Sequence, residues 1–247
     1  MTRPGHDEAS IRSYYDEFST RYEARRRPND PGGYHALLDD LEIDYALRFC
    51  NGGDLLEVGC GTGLILERLA RKCRSAKGVD LSEGMLEKAR ERGLDATLGS
   101  ATSLPFEDKS FDVVCSFKVL AHVPEIATAL DEMVRVTRPG GHVLAEFYNP
   151  WSLRALAKRL GPAGAISDKT LEDAVYTRFD SPAEVRKMIP PGCELVASRG
   201  VRILTPAAAA MRVPLLRNVL RSAEWAVCDS PLAAFGGFWI AAIRRSS

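Results

Sequence analysis

Glu57, Asp80, Ser100 and His122 are polar side chains placed where a ligand would need them. Glu57 stands just before Gly59-Cys60-Gly61-Thr62-Gly63, where glycine recurs at every second position. Such a run lets a chain leaving a strand turn sharply and approach a ligand closely. Asp80 follows after a second apolar stretch, Ala76-Lys77-Gly78-Val79. An acid there can accept from both ribose hydroxyls of a nucleoside. The spacing is Gly-x-Gly-x-Gly and not the Gly-x-Gly-x-x-Gly of dinucleotide sites, so nothing calls for a pyrophosphate. An NAD(P) oxidoreductase is the alternative that this spacing argues against. His122 has the side chain whose ordinary pKa, near 6.5, suits a general base at neutral pH. The rival reading is an imidazole packed among apolar neighbours.

Positioning these groups requires strands that end together. Leu55, Leu56 and Val58 suit a strand buried on both faces of a parallel sheet, and Leu64 to Arg71 a helix behind the glycines. Ser82 starts a helix over Glu83 to Arg92, stopped by Gly93. A short strand, Ala96-Thr97-Leu98, leads to Gly99-Ser100-Ala101. Phe111 to Phe117 is a further strand, which puts Phe117, Lys118 and His122 near the site, since ligands gather beyond the carboxyl ends of such strands. A helix over Ile126 to Thr137 and a strand over Gly141 to Tyr148 make four strand-to-helix repeats before residue 150, the alternation of a parallel sheet.

Upstream, Ser10 is read as the cap of a helix carrying Tyr14, Phe18 and Tyr22 on one face, either a core stripe or a cover over a ligand. Tyr34 to Phe49 forms a second amphipathic helix, closed by Asn51-Gly52-Gly53. Downstream, Trp151 to Leu160 reads as a basic helix broken by Gly161-Pro162-Ala163-Gly164. Ser181-Pro182-Ala183-Glu184 opens another with a capping box. Glu194 to Leu204 and Phe235 to Ile243 are strand-like. From Pro214, a helix sets Leu215, Leu216, Val219, Leu220, Ala223, Ala226 and Val227 on one side and Arg217, Arg221 and Glu224 on the other. The expectation is an apolar side packed on the core. The rival is a cover for a greasy acceptor drawn from a membrane surface.

Composition bounds the classes. The 247 residues suit one α/β domain, and 45% hydrophobic with 27% charged residues is globular. Lys plus Arg and Asp plus Glu both number 33, so net charge gives no case for nucleic acid. The six cysteines are scattered without a Cys-x-x-Cys pair, and the first residues lack the apolar core of a signal peptide. Reduced thiols in a cytoplasmic protein are the expectation. Asp229 and Pro231 interrupt the best candidate for a membrane span. The four histidines do not cluster in sequence, so no metal is expected. Gly99-Ser100 lacks the nucleophile-elbow pattern, so no Ser-His-Asp hydrolase is expected either.

Leu55–Gly63, Asp80-Leu81-Ser82, Leu104-Pro105-Phe106 with Ser110-Phe111-Asp112-Val113-Val114, Val119-Leu120-Ala121-His122-Val123 and Arg138-Pro139-Gly140-Gly141 occur in one order. Together they resemble the class I S-adenosylmethionine-dependent methyltransferases over about residues 54–148, closest in flavour to the small-molecule enzymes of ubiquinone and menaquinone synthesis. The resemblance implies an α/β, Rossmann-like fold: a seven-stranded, mostly parallel sheet with helices on both faces and an antiparallel last strand. It implies one domain over 1–247, with an N-terminal helical lid over 10–50, a cofactor-binding core over 51–148, and substrate-side insertions after strands 5 and 6, at 149–180 and 205–234. The cofactor would be S-adenosyl-L-methionine, held by Glu57, Gly59, Cys60, Gly61, Gly63, Asp80, Leu81, Ser100, Ala101, Leu104, Phe117, Tyr14 and Tyr22, with Leu81 and Leu104 sandwiching the adenine. Ser100 departs from the family, which carries an acid there against the adenine amino group. Restoring an acid by Ser100→Asp is expected to tighten binding. The acceptor would be a small, hydrophobic molecule methylated at oxygen, nitrogen or carbon. A non-catalytic protein that merely binds the cofactor is the second alternative.

Methyl transfer from a sulfonium is an in-line displacement on an already activated donor. The protein's part is chiefly to position two reactants and exclude water, so no nucleophile triad is needed.

Overall fold

The computed structural model describes residues 7–26, 30, 32–50, 52–152, 155 and 176–246. Among them, Leu55 and Leu56 explain the apolar run that opens β1 (Asp54–Val58). Successive strand residues face opposite sides. Leu55 joins a core under helix α2 (Tyr34–Cys50) with Leu37, Leu41, Val113 and Leu144. Leu56 joins the other core, with Val114, Val143, Leu130 and Met133.

Seven strands form the sheet: β1, β2 (Ser75–Asp80), β3 (Asp95–Leu98), β4 (Phe111–Ser116), β5 (Thr137–Tyr148), β6 (Cys193–Val201) and β7 (Phe238–Arg245). Their order is β3-β2-β1-β4-β5-β7-β6. β7 runs antiparallel to both its neighbours, so β6 keeps the direction of β5. All other pairs are parallel. The order reverses between β1 and β4, which opens a crevice at their carboxyl ends.

The helices are α1 (Glu8–Arg26), α2, α3 (Leu66–Ala70), α4 (Glu83–Glu91), α5 (Ile126–Val136), α6 (Pro182–Met188) and α7 (Pro214–Val227). Ser82 caps α4, accepting from the Met85 N–H at 3.2 Å. Ser181 and Glu184 form the expected capping box at α6.

Several expectations are corrected. The start of α1 is capped by Asp7, whose Oδ1 accepts from the Ser10 N–H at 2.8 Å, not by Ser10. α3 begins at Leu66, because the glycine turn runs on to Ile65. β3 and β4 are joined by a loop without a helix, carrying only a Ser100–Ser103 bridge, so the four-repeat reading fails there. β7 begins at Phe238, after a short 3-10 helix over Pro231–Phe235. The expected Trp151–Leu160 helix and its breaker lie outside the described residues, apart from Trp151, Ser152 and Ala155.

The largest departure is α7. Much of the side expected in the core faces out, with Leu215 78% and Val219 57% exposed, while Leu220 packs against the core. Its buried residue is Glu224.

Candidate active site

The crevice holds a cavity of about 550 Å³, lined by the ends of β1, β2 and β4 below and by α1 above. That is the size of site that encloses a small organic ligand.

The glycine turn builds the floor. Gly59 and Gly61 take φ values of 77° and 55°, which side-chain-bearing residues avoid. A Cβ at Gly59 would fall 2.2 Å from Val119, so only glycine lets these two segments meet. A Cβ at Gly61 would meet nothing within 4 Å, and its backbone borders open cavity. Asp80 locks the turn: Oδ2 accepts from the Gly61 N–H at 2.8 Å and Oδ1 from the Ser82 N–H at 2.9 Å. Burial pushes its carboxyl up from the usual range, and these N–H donors push it back.

Glu57 is buried at the same wall, and its Oε2 has no hydrogen-bond partner. Burial, then the charge of Glu42, pushes its carboxyl well up. Around it lies a charge cluster. Lys118 Nζ donates to Glu42 Oε2 at 2.5 Å and to Asp39 Oδ1 at 3.2 Å, while Arg26 also donates to Asp39. Burial works against the Lys118 charge, but Glu42 and Asp39 hold its pKa above the ordinary lysine value. The Lys118 N–H donates to Glu146 Oε1 at 3.0 Å, with the backbone at φ 62°.

His122 sits across the floor, between the rings of Tyr15 and Tyr148 at 6.4 and 5.7 Å. Its Nδ1 lies 2.8 Å from the Tyr176 carbonyl oxygen. A carbonyl only accepts, so Nδ1 carries the hydrogen and Nε2 of the neutral ring keeps its lone pair. Burial lowers the His122 pKa below its usual value, which keeps that ring neutral.

The roof is α1. Glu8, Ile11, Tyr15, Phe18, Tyr22 and Arg26 recur every three or four residues and line the cavity along one helix face, joined by Tyr14. Tyr14 stacks on Phe18 at 5.7 Å. Glu8 Oε2 accepts from the Ser100 hydroxyl at 2.7 Å, so a carboxylate from the roof stands beside the serine.

Of the residues expected at a ligand, Glu57, Gly59, Cys60, Gly61, Asp80, Leu81, Ser100, Ala101, Phe117, Tyr14, Tyr22 and His122 all line this one cavity. Gly63 and Leu104 do not. Gly63 serves packing: at φ 82°, a Cβ would lie 2.4 Å from Leu94. Leu104 points into the core with Val114 and Met133, its N–H given to Glu132 Oε2 at 2.7 Å. The adenine sandwich with Leu81 is therefore not formed by Leu104. Sequence reasoning missed Glu8, Tyr15, His35 and Tyr148 at the cavity. Tyr15 stands three residues before Phe18 and seven before Tyr22, spacings that put it on the same helix face and were the signal for it.

An orphan carboxylate, an open glycine cradle and an acid at the β2 end fit a ligand joining a positive centre to a nucleoside. S-adenosylmethionine is such a molecule. A switch-point crevice with this donor set defines a nucleoside-binding domain of the class I methyltransferase kind. Residues 56–145 match the family model described as methyltransferase domain, and the chain carries a class I S-adenosylmethionine-dependent methyltransferase domain. It is 32% identical over 164 residues to a ubiquinone biosynthesis O-methyltransferase of Alkalilimnicola ehrlichii, covering 60% of this chain and 66% of that one. It is 41% identical over 108 residues to a demethylmenaquinone methyltransferase of Mycobacterium marinum, covering 43% and 47%. The matches thus span about half to two thirds of these relatives. Among solved structures, a methyltransferase of Thermotoga maritima described as a possible histamine N-methyltransferase superposes with a TM-score of 0.65 at 21% identity, covering 94% of this chain and 98% of that one. The cyclase SpnF superposes with a TM-score of 0.61 at 20% identity, covering 97% of each. At these identities the structures speak for the fold alone. The family match falls on the methyltransferase side of the NAD(P) alternative.

Among the described residues, no group of histidine, cysteine and acidic side chains could hold a metal, and no helix is long and apolar enough to cross a membrane.

Proposed function

We propose that the chain transfers a methyl group from S-adenosylmethionine to a small, apolar, hydroxyl-bearing acceptor of the quinol kind. When bound, the cofactor supplies an activated methyl group. Glu57, the Gly59–Gly61 turn, Asp80, Leu81, Ser100 and Ala101 are the residues that would hold it. Gly63 and Leu104 support the turn and the core behind them.

The acceptor side rests on the rings. Tyr15, Phe18, Phe117, Tyr148 and Phe238 line the cavity and suit a flat, greasy molecule. The names of the relatives point to quinone-type acceptors, and a quinol carries the hydroxyl that must lose a proton. The single observation that carries the reading is His122. Its hydrogen is fixed on Nδ1 by the Tyr176 carbonyl, in the same cavity as Asp80 and Glu57, which leaves Nε2 to take a proton. α1 would act as a lid that excludes water.

The test is calorimetric titration with S-adenosylhomocysteine and with NADH, followed by a methyl-transfer assay over soluble short-chain quinols and catechols. Binding of the first ligand alone, with turnover of a phenolic acceptor, is expected. Binding of NADH in its place overturns the cofactor assignment. Cofactor binding with no turnover on any phenol or quinol overturns the acceptor class and favours a protein that only binds the cofactor.

A further inference from the structure

We infer that Cys50 and Cys73 are an oxidisable pair, which exchanges with small-molecule disulfides and closes a stabilising covalent ring around the glycine turn. Both thiols are free in the structure. Their sulfurs lie 2.9 Å apart, with Cys50 donating to Cys73. A bonded pair stands at about 2.05 Å, so closing it takes a movement of about 0.9 Å.

The backbone brings the sulfurs together. Cys50 is the last residue of α2, and Cys73 follows the end of α3. The Gly53 N–H donates to the Cys50 carbonyl at 2.7 Å, and the Arg74 N–H donates to the Gly53 carbonyl at 3.0 Å. The Cys73 N–H donates to the Leu69 carbonyl at 3.0 Å. Asp54 then pairs with Ser75 in the sheet, and its carboxylate accepts from the Arg74 guanidinium and the Ser75 hydroxyl. Both cysteines are thus held in place before any bond forms, so oxidation asks for little rearrangement.

Access and chemistry set the reactant. Cys50 is buried and Cys73 half-buried, so a reagent meets Cys73 first. The hydrogen bond between the sulfurs lowers the Cys50 thiol below its ordinary range and raises Cys73, so the pair gives up one proton and shares the other. With the shared hydrogen on Cys50, the Cys73 thiolate attacks a sulfur of the small disulfide. One S–S bond forms as the other breaks, and the departing small thiolate takes up a proton. Cys50, deprotonated in turn, displaces the second small thiol from Cys73. Two protein thiols and one small disulfide become one protein disulfide and two small thiols. The ring from 50 to 73 contains β1, Glu57, the Gly59–Gly63 turn and α3. Closing it restricts the unfolded chain and ties the end of α2 to the segment beyond the turn. The inference rests on these two thiols and not on the proposed reaction.

The test is incubation of the full chain with oxidised glutathione, followed by alkylation of the remaining thiols and peptide mass mapping. A linked Cys50–Cys73 pair is expected, lighter than the reduced pair by two hydrogens and reopened by dithiothreitol. The oxidised chain should melt roughly 5–10 °C above the reduced one. Cys73→Ala and Cys73→Ser, changed at the more exposed position, should form no such pair and show no rise. Full alkylation of both thiols after the oxidant, a glutathione that stays on Cys73 in the wild type, or a bond from Cys50 to Cys115 overturns the proposal. A linked chain that melts no higher than the reduced one overturns the stabilising ring.

Discussion

The floor and the roof of the cavity are built by different physics. The floor is the sheet itself. Asp80 is tied to backbone N–H groups at both oxygens, and the glycine turn is held by conformations that folding imposes. The roof is a helix of exposed and half-buried residues, with only Ile11, Ser19 and Arg26 buried among those described. It is fastened to α4 by polar contacts: Asp16 Oδ1 accepts from Ser82 Oγ at 2.6 Å and from the Gly84 N–H at 3.2 Å, and Lys88 Nζ donates to the Ser19 carbonyl at 2.6 Å. Arg92 pairs with Glu23 at 2.6 Å. Breaking the floor should therefore damage the site permanently, while breaking the roof should loosen a cover over an intact sheet.

The largest effect should come from His122, on the floor. His122→Ala is expected to lower the maximal rate by about 10²-fold or more at saturating cofactor and acceptor, with cofactor affinity held. In the wild type the rate should fall in acid, as the imidazole protonates. Because its pKa is lowered, that fall should lie below the usual histidine value. A drop of less than about tenfold makes His122 a packing residue.

Asp80→Ala should weaken S-adenosylhomocysteine binding by roughly a hundredfold, through lost charge-assisted bonds and a loosened Gly61. Unchanged affinity in a folded variant would remove Asp80 from the cofactor site. The matching cut in the roof is Asp16→Ala. It should speed hydrogen exchange in α1 and weaken the same ligand by about tenfold or less, with the melting temperature shifted by only a few degrees. A collapse in melting temperature would show that α1 is core and erase the contrast.

The smallest effect joins the two walls. At first sight Ser100→Asp restores a charged acceptor. The Glu8 carboxylate already stands at that serine, so a second carboxylate would repel it and lift the end of the roof. A several-fold weakening of S-adenosylhomocysteine binding is expected, recovered by adding Glu8→Gln. Tightening by Ser100→Asp alone would mean that Glu8 is not held there in solution.

The floor was legible in sequence because its constraints are local. Glycines at left-handed φ leave their own signature, and Asp80 sits at a fixed offset on the next strand. The roof was half legible: the stripe of Tyr14, Phe18 and Tyr22 marked a face, but periodicity does not say what the face covers. Leu104 misled because an apolar residue after a strand looks the same whether it faces core or cavity. Glu8 meets Ser100 across most of the domain core in sequence, and no local pattern announces such a contact. α7 failed for a sharper reason. Its period marked an apolar side, but the helix is rolled so that Leu220 of that side packs on the core while Leu215 and Val219 face out. The decision was taken by Glu224, three backbone N–H groups and Asp40, partners that only the tertiary fold supplies.

Lys118 carries a last consequence, about which replacements the chain can accept. Its left-handed backbone costs about 1–3 kcal/mol in a residue with a side chain. By dihedral angle alone, glycine is the natural occupant. Yet glycine would leave Asp39 and Glu42 facing each other without the ammonium that joins them, beside an already unpartnered Glu57. The residue that the backbone favours is thus one that the neighbouring carboxylates forbid. A redesign that picks side chains from local conformation would choose wrongly here. One that also relieves the carboxylates, with Glu42→Gln beside Lys118→Gly, has a route open to it.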